Sequence, residues 1–271
     1  MKFTIFGASG FVGSNLTEHL RGSGHEVFAP DRDVIPTPDM RLGHVIYAIG
    51  LTGDFRIRPF DTINAHVTEL AKRMQNASYD SWLYLSSTRM YSGSDENVGE
   101  EDPIVAIPGQ NGIYDISKLL GEALCLALNE PTVRIVRLSN IYGDNQSRHT
   151  FLGSLLEDVA AGHKIYIEEA SQSSKDYISI ADVVQLIEKI ALVGQHQIYN
   201  LASGSSTSHQ MLAEHLRQLT GLSVVFNEKA SSRTYPKINI DRITEEFDFK
   251  PRMLLEDLGK LISNLNLFRN Q

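Results

Sequence analysis

Tyr114 and Lys118 stand four residues apart in Y-D-I-S-K, a spacing that puts both on one face of a helix. A phenol with an ordinary pKa near 10 is a poor base at neutral pH. An ammonium group close by favours the phenolate and brings it into working range, so the pair is a candidate for proton transfer to or from a hydroxyl or carbonyl. The competing structural reading is a buried tyrosine followed by a solvated lysine.

A second constellation lies at the start of the chain. Gly7, Gly10 and Gly13 form G-A-S-G-F-V-G between an apolar strand (residues 2–6) and a helix (residues 13–21). Such a turn, with Ser9, Phe11 and Val12 in it, can bring backbone amides and a helix N-terminus against a pyrophosphate. The spacing is G-x-x-G-x-x-G rather than G-x-G-x-x-G, and a plain tight turn is the alternative. Asp31 ends the second strand, where an acid accepts from a ribose 2′-hydroxyl, which favours NAD. Arg32 beside it suits a 2′-phosphate and leaves NADP open. No metal site is expected: the closest histidine pairs, His19/His25 and His209/His215, lack the i, i+4 spacing of helical ligands. No serine stands in G-x-S-x-G, which removes the nucleophile-elbow hydrolases.

The elements that must position these groups alternate. Strand patterns at residues 2–6, 26–30, 44–49, 82–85 and 132–138 are separated by helical patterns at 13–21, 62–74 and 116–128. That order predicts an α/β fold, a Rossmann-type doubly wound parallel sheet covered on both faces. Beyond Gly143 the pattern loosens into helix (151–161), strand (164–167), strand-turn-helix (176–193), strand (197–201), helix (208–219) and strand (223–227). We expect a cofactor-binding domain of residues 1–142 plus about 176–202. Residues 143–175 and 203–271 would form a small, interleaved α/β substrate lobe.

Composition bounds the rest. The 271 residues are 42% hydrophobic and 21% charged, enough for one large core or two joined lobes. The lone Cys125 excludes a disulfide framework. No run approaches the roughly 20 apolar residues of a membrane span. Three glycines interrupt the apolar start of the chain, so no leader peptide is expected and the cytoplasm is. A net charge of −8 argues against nucleic-acid binding. It would also repel an anionic substrate at long range, so any phosphate site must be built locally.

Taken in order, the glycine loop, the acid after the second strand, S-S-T-R-M-Y (Ser86 to Tyr91), Y-x-x-x-K and K-D-Y-I-S-I-A-D (Lys175 to Asp182) resemble the extended short-chain dehydrogenase/reductases. With R-L-S-N-I-Y-G (Arg137 to Gly143), I-Y-N-L-A-S-G (Ile198 to Gly204) and F-D-F-K-P (Phe247 to Pro251), the chain is similar to the NAD-dependent epimerase/dehydratase family. The resemblance implies a nucleotide-diphosphate sugar as substrate, with Ser87 bridging the substrate oxygen and the Tyr114 phenol. Lys118 would hold the nicotinamide ribose, and Ala48, Ile49 and Gly50 would line the cofactor where the family has H-x-A-A. Asn140, Lys175 and Arg233 match the family's phosphate-contacting positions, although a lysine is a point charge rather than a bidentate fork.

The family's 4,6-dehydratases carry Asp-Glu directly after the catalytic hydroxyl. Here Thr88 and Arg89 stand there, so dehydration is not expected. Nor does a cysteine stand at Arg89, as in the epimerase-reductases that make GDP-fucose. Arg89 would either select a charged sugar or point outward. What remains is 4-epimerisation, with one-way reduction of a 4-keto sugar nucleotide as runner-up and a non-catalytic NAD(P)-binding protein behind it. The family also implies a homodimer, through residues 62–74 and 116–128. Residues 33–43 are too few for both a strand and a crossover helix, so an edge strand and helix should be missing and the adenine more exposed than usual.

Overall fold

A computed structural model of the chain describes residues 1–94, 97–227, 229–233 and 235–269. Residues 228, 234, 270 and 271 of the expected substrate lobe therefore lie outside the described residues. The first half folds into β1 (Lys2–Phe6), α1 (Phe11–Gly22), β2 (Glu26–Phe28), β3 (His44–Tyr47), α2 (Pro59–Ile63), α3 (Glu69–Met74), β4 (Ser81–Ser87), α4 (Gly112–Ala127) and β5 (Val133–Leu138). A π-helical turn, Asn64–Thr68, joins α2 to α3. Then follow β6 (Asn140–Tyr142), α5 (Phe151–Ala161), β7 (Ile165–Ile167), β8 (Ser174–Ser179), α6 (Ile180–Val193) and β9 (Ile198–Leu201). The chain ends with β10 (Ser206–Ser208), α7 (His209–Thr220), β11 (Val224–Phe226), α8 (Asp241–Phe247) and α9 (Leu254–Arg269).

Six strands form the central sheet in the order β2-β1-β3-β4-β5-β9, and every neighbouring pair is parallel. Period-two alternation divides their side chains between two cores. Phe3, Ile5, Ile46, Leu83 and Leu85 face Leu16 and Leu20 of α1 and Val183, Ile187 and Ile190 of α6. Phe6, Val45, Tyr47, Trp82 and Tyr84 face Leu70 and Met74 of α3 and Cys125 of α4. Both faces of a parallel sheet are thus covered, as the alternating pattern required.

β2 is the outer edge, and residues 29–43 contribute neither strand nor helix. The missing edge strand and helix read from the length of this segment are absent here. The return is held instead by local bonds: Thr4 Oγ1 donates to the Leu42 carbonyl (2.6 Å), and Leu42 N to the Ser78 carbonyl (2.9 Å). Gly43 takes φ +67°, where a Cβ would overlap the Lys2 carbonyl oxygen.

A third core joins Leu152, Leu155 and Leu156 of α5 with Leu212 and Leu216 of α7, Leu258 of α9 and the parallel pair β7–β11. β6, β8 and β10 form a small sheet beside it, with β6–β8 parallel and β8–β10 antiparallel. The sequence pattern did not mark β6, β10, α8 or α9. Three-residue strands carry too little alternation to register, and α9 is weakly amphipathic.

Candidate active site

The catalytic candidates meet at the C-terminal end of β4. Ser87 closes that strand, and its hydroxyl caps the 3₁₀ turn Thr88–Tyr91 by accepting from Arg89 N (3.2 Å). Tyr114 lies in the first turn of α4, and Lys118 follows one turn on, both almost fully buried. The Lys118 ammonium donates to the Leu85 carbonyl of β4 (2.8 Å) and lies 5.0 Å from the Tyr84 ring centroid. Burial pushes the Tyr114 phenol above its ordinary value, while the neighbouring Ser87 hydroxyl and the Arg89 charge pull the other way. Burial also brings Lys118 down to about 7, against the raising effect of Glu122. The structure thus brings Ser87, Tyr114 and Lys118 together around the last residues of β4.

The position of α4 is set from below. Arg137 of β5 donates to both oxygens of Glu122 (2.7 Å from NH2, 3.0 Å from Nε) and to the Tyr91 hydroxyl (2.7 Å). Arg137 and Glu122 are both buried, so the pair is a registry device that fixes one helix on one strand rather than a large net source of stability.

His66 was not singled out by sequence reasoning, yet it supports the centre directly. Its Nε2 accepts from Leu51 N (3.2 Å), which leaves Nδ1 carrying the proton toward Ser117 Oγ (2.8 Å). Burial, then the Lys118 charge, hold its pKa down at about 2, so the ring is neutral. It packs edge-on against Tyr114, with centroids 5.2 Å apart. Phe55, Arg56 and Asp115 were also missed. A histidine in N-A-H-V-T and an arginine in a loop carry no spacing signal, so only the fold reveals them.

The glycine loop sits at the C-terminal end of β1, beside β3. Gly7 has φ +89°, and a Cβ there would fall 2.8 Å from the Ala48 carbonyl carbon. A Cβ on Gly13 would overlap the Gly7 carbonyl oxygen, which lets α1 close onto the loop. Gly10 is the N-cap of α1 and supplies no side chain, so the first amides of the helix have no side-chain cap. Ser9 and Gly10 are exposed, Phe11 and Val12 half-buried. This arrangement fits a pyrophosphate. Asp31 and Arg32 are both exposed just past β2. Ala48 and Ile49 are half-buried after β3, and Gly50 lies close to His66 and Lys118, with room for only one added carbon against either.

The residues expected to contact the substrate are spread over several segments. Asn140 donates its amide to the Asp176 carbonyl of β8 (2.8 Å). Lys175 is ion-paired with Glu169 (2.7 Å) and lies 4.0 Å from the Phe151 ring centroid. Arg233 is exposed, on a loop tied down by Arg233 N to Ser173 Oγ (2.9 Å). Arg89 does not project away from the centre. Its guanidinium carbon lies 5.2 Å from the Tyr114 ring centroid and 4.7 Å from that of Phe55. Among the described residues no group of three or more His, Cys, Asp and Glu could hold a metal ion, and no helix is long and apolar enough to cross a membrane.

A parallel sheet with a glycine-rich β1–α1 turn, and a Ser-Tyr-Lys cluster at the end of β4, defines an enzyme of the extended short-chain dehydrogenase/reductase type. The sequence model of the NAD dependent epimerase/dehydratase family matches residues 3–63 and 44–202, and the chain belongs to that family. Its curated relatives include a 3-beta-hydroxysteroid dehydrogenase of Mycolicibacterium neoaurum, 25% identical over 73% of this chain and 62% of that protein. The chain thus spans less than two thirds of that relative. A UDP-glucose 4-epimerase of Corynebacterium glutamicum is 25% identical over 82% of this chain and 81% of its own. Among solved structures, MoeE5 in complex with UDP-glucose and NAD aligns over 100% of both chains with a TM-score of 0.84 at 22% identity. At that identity the likeness speaks for the fold.

Proposed function

We propose that the protein is a nucleotide-sugar 4-epimerase with resident NAD. The observation that carries this reading is the Ser87 hydroxyl beside the Tyr114 phenol and a buried Lys118 at the end of β4, two strands from the glycine loop. NAD, when bound, would supply the hydride acceptor and donor for C4, and inversion would follow from the 4-keto sugar turning over between removal and return of the hydride. Tyr114 takes the proton of the C4 hydroxyl and gives it back, and Ser87 holds the same oxygen. Lys118 and the exposed Asp31 hold the two riboses, Ser9, Gly10, Phe11 and Val12 the pyrophosphate, and residues 48–50 flank the nicotinamide side. Lys175, Arg233 and Asn140 hold the sugar-nucleotide diphosphate. In this reading residues 1–142 with about 176–202 bind the cofactor, and the remainder binds the sugar nucleotide.

Dehydration lacks its acid-base pair, because Thr88 and Arg89 occupy those positions. One-way reduction of a 4-keto sugar is the second reading, favoured by an exposed Arg32 beside Asp31 that can meet the 2′-phosphate of NADP. Denaturing the purified protein and identifying the released nucleotide separates the two. Tightly held NAD supports the epimerase, and freely exchangeable NADP alone sinks it. A second copy of this chain is the proposed partner, through the faces carrying Phe60 and Leu120, both exposed.

A further inference from the structure

Four cations from four separate segments lie within electrostatic reach of one another, and Arg89 among them lies against the Tyr114 ring. Arg56 comes from the loop after β3, Arg89 from the turn after β4, Lys175 from β8 and Arg233 from the loop after β11. Their charges act on one another: Arg89 and Arg233 both depress the pKa of Arg56, after burial, and both act likewise on Lys175. Among the described residues two carboxylates offset them closely. Glu169 pairs with Lys175, and Asp115 Oδ1 lies 3.2 Å from Arg89 Nε. In a chain of net charge −8 such an excess is a built feature. A diphosphate accounts for Lys175 and Arg233, which belong to the substrate lobe side. It does not account for Arg56 and Arg89.

These two arginines form one unit. Both guanidinium carbons lie against the Phe55 ring, at 4.4 and 4.7 Å from its centroid, and both hold Asn111. Arg56 Nε donates to its side-chain oxygen (2.7 Å) and Arg89 NH2 to its backbone carbonyl (3.2 Å). The stack and the shared asparagine pre-set both forks. The Arg89 guanidinium makes that single hydrogen bond among the described residues. Asp115 Oδ1 beside it is buried and accepts no hydrogen bond there, so it serves as a counter-charge and leaves most of the guanidinium donors unspent. Arg56 has no carboxylate partner within ion-pair distance among the described residues. Arginine is the side chain suited to planar, two-point recognition of a carboxylate.

We propose that Arg89, braced by Phe55 and Arg56, is a specificity residue that selects a sugar nucleotide carrying a carboxylate on the carbon next to the reacting one, a hexuronic acid oxidised at C6. This rests on the epimerase reading, which places the C4 oxygen at the Tyr114 hydroxyl. Arg89 follows Ser87 by two residues and lies against the Tyr114 ring, so it faces the carbons beside C4. The diphosphate leaves the sugar from C1, across the ring. Of the substituents beside C4, only the C6 group on C5 can become a carboxylate while leaving a hexose skeleton intact.

The test uses two sugar nucleotides that differ only at C6, UDP-glucuronate and UDP-glucose, with the NAD-loaded protein. C4 epimer formation is followed by chromatography and binding by calorimetry. The expected result is a preference for the uronate of about 10- to 100-fold in both kcat/KM and Kd, the range of a charge-assisted contact. In Arg89→Met that ratio falls toward one, and Arg89→Lys restores part of it. Arg56→Met, which keeps Arg89, lowers the ratio by a smaller factor and stands in if the first variant does not fold. Equal or better use of UDP-glucose by the wild type overturns the inference and leaves the epimerase reading standing. A ratio unchanged by Arg89→Met also overturns it. Binding of neither sugar nucleotide, with no epimer from either, removes the epimerase reading and the inference with it.

Discussion

Replacing Lys118 by Met should make the cofactor-free protein more stable while removing its activity, and the gain should depend on pH in one direction only. Lys118 is 5% exposed, and burial brings its pKa from 10.5 to about 7. At about 1.36 kcal/mol per tenfold, that depression corresponds to roughly 5 kcal/mol of disfavour for the charged form in the fold, an upper figure because local relaxation reduces it. The sign follows from linkage. Between about pH 7 and 10.5 the unfolded chain keeps the Lys118 proton that the folded protein has lost, so wild-type stability rises with pH through that window. Below pH 7 both states are protonated and the full penalty applies. Lys118→Met has no such group, so it should exceed the wild type by about 2–5 kcal/mol at pH 6, with the difference shrinking steadily toward pH 10. Urea unfolding of nucleotide-free wild type and variant at pH 6, 8 and 10 measures this, and titration of every other group cancels in the difference. Parallel stability curves, or a variant less stable at pH 6, would refute the placement of a charged lysine in an apolar slot between β4 and α4.

Tyr114→Phe should lower turnover by about 10²- to 10⁴-fold, the range for losing a positioned acid-base group, with sugar-nucleotide binding by calorimetry altered far less. Gly13→Ala forces a Cβ into the Gly7 carbonyl oxygen, so nucleotide retention on gel filtration should be lost and stability should drop by about 1–3 kcal/mol in urea unfolding. Arg137→Met leaves Glu122 buried without its partner and should cost about 3–5 kcal/mol, measured as a lower urea midpoint. Glu188 accepts from His19 (2.5 Å) and His25 (2.8 Å), and those bonds outweigh burial to hold its carboxyl below the usual value. Its stabilisation is complete above the ordinary carboxylate pKa and lost as pH falls through the folded one. Glu188→Gln should therefore flatten the acid limb of the stability profile.

The strand-helix alternation was legible because each strand alternates between two cores and each helix has one apolar stripe, so Phe3 and Ile5 could be separated from Phe6 by position alone. The missing edge strand was legible from chain length between Asp31 and His44, since a crossover needs residues that are not there. Ser87, Tyr114 and Lys118 were legible through their order with the other motifs. What surrounds them was not. His66 lies in a π-turn whose phase no regular helical period announces, and Phe55 and Arg56 sit in a loop with no periodicity. The pairing of Lys175 with Glu169 joins residues from β8 and the turn before it, and only folding shows that the lysine is already partnered. Arg89 was visible as an oddity of type, but its direction was decided by packing against Tyr114 and Phe55.

In 4-epimerisation by this route one hydrogen leaves C4 of a sugar nucleotide and comes back to the same carbon without meeting solvent. A nucleotide sugar carrying deuterium at C4, incubated with the purified protein in ordinary water, tests it directly by NMR of the product. The expected product is the C4 epimer with the deuterium retained on C4. Loss of the label to water, its appearance in free reduced nicotinamide nucleotide, or a product changed at another carbon would contradict it.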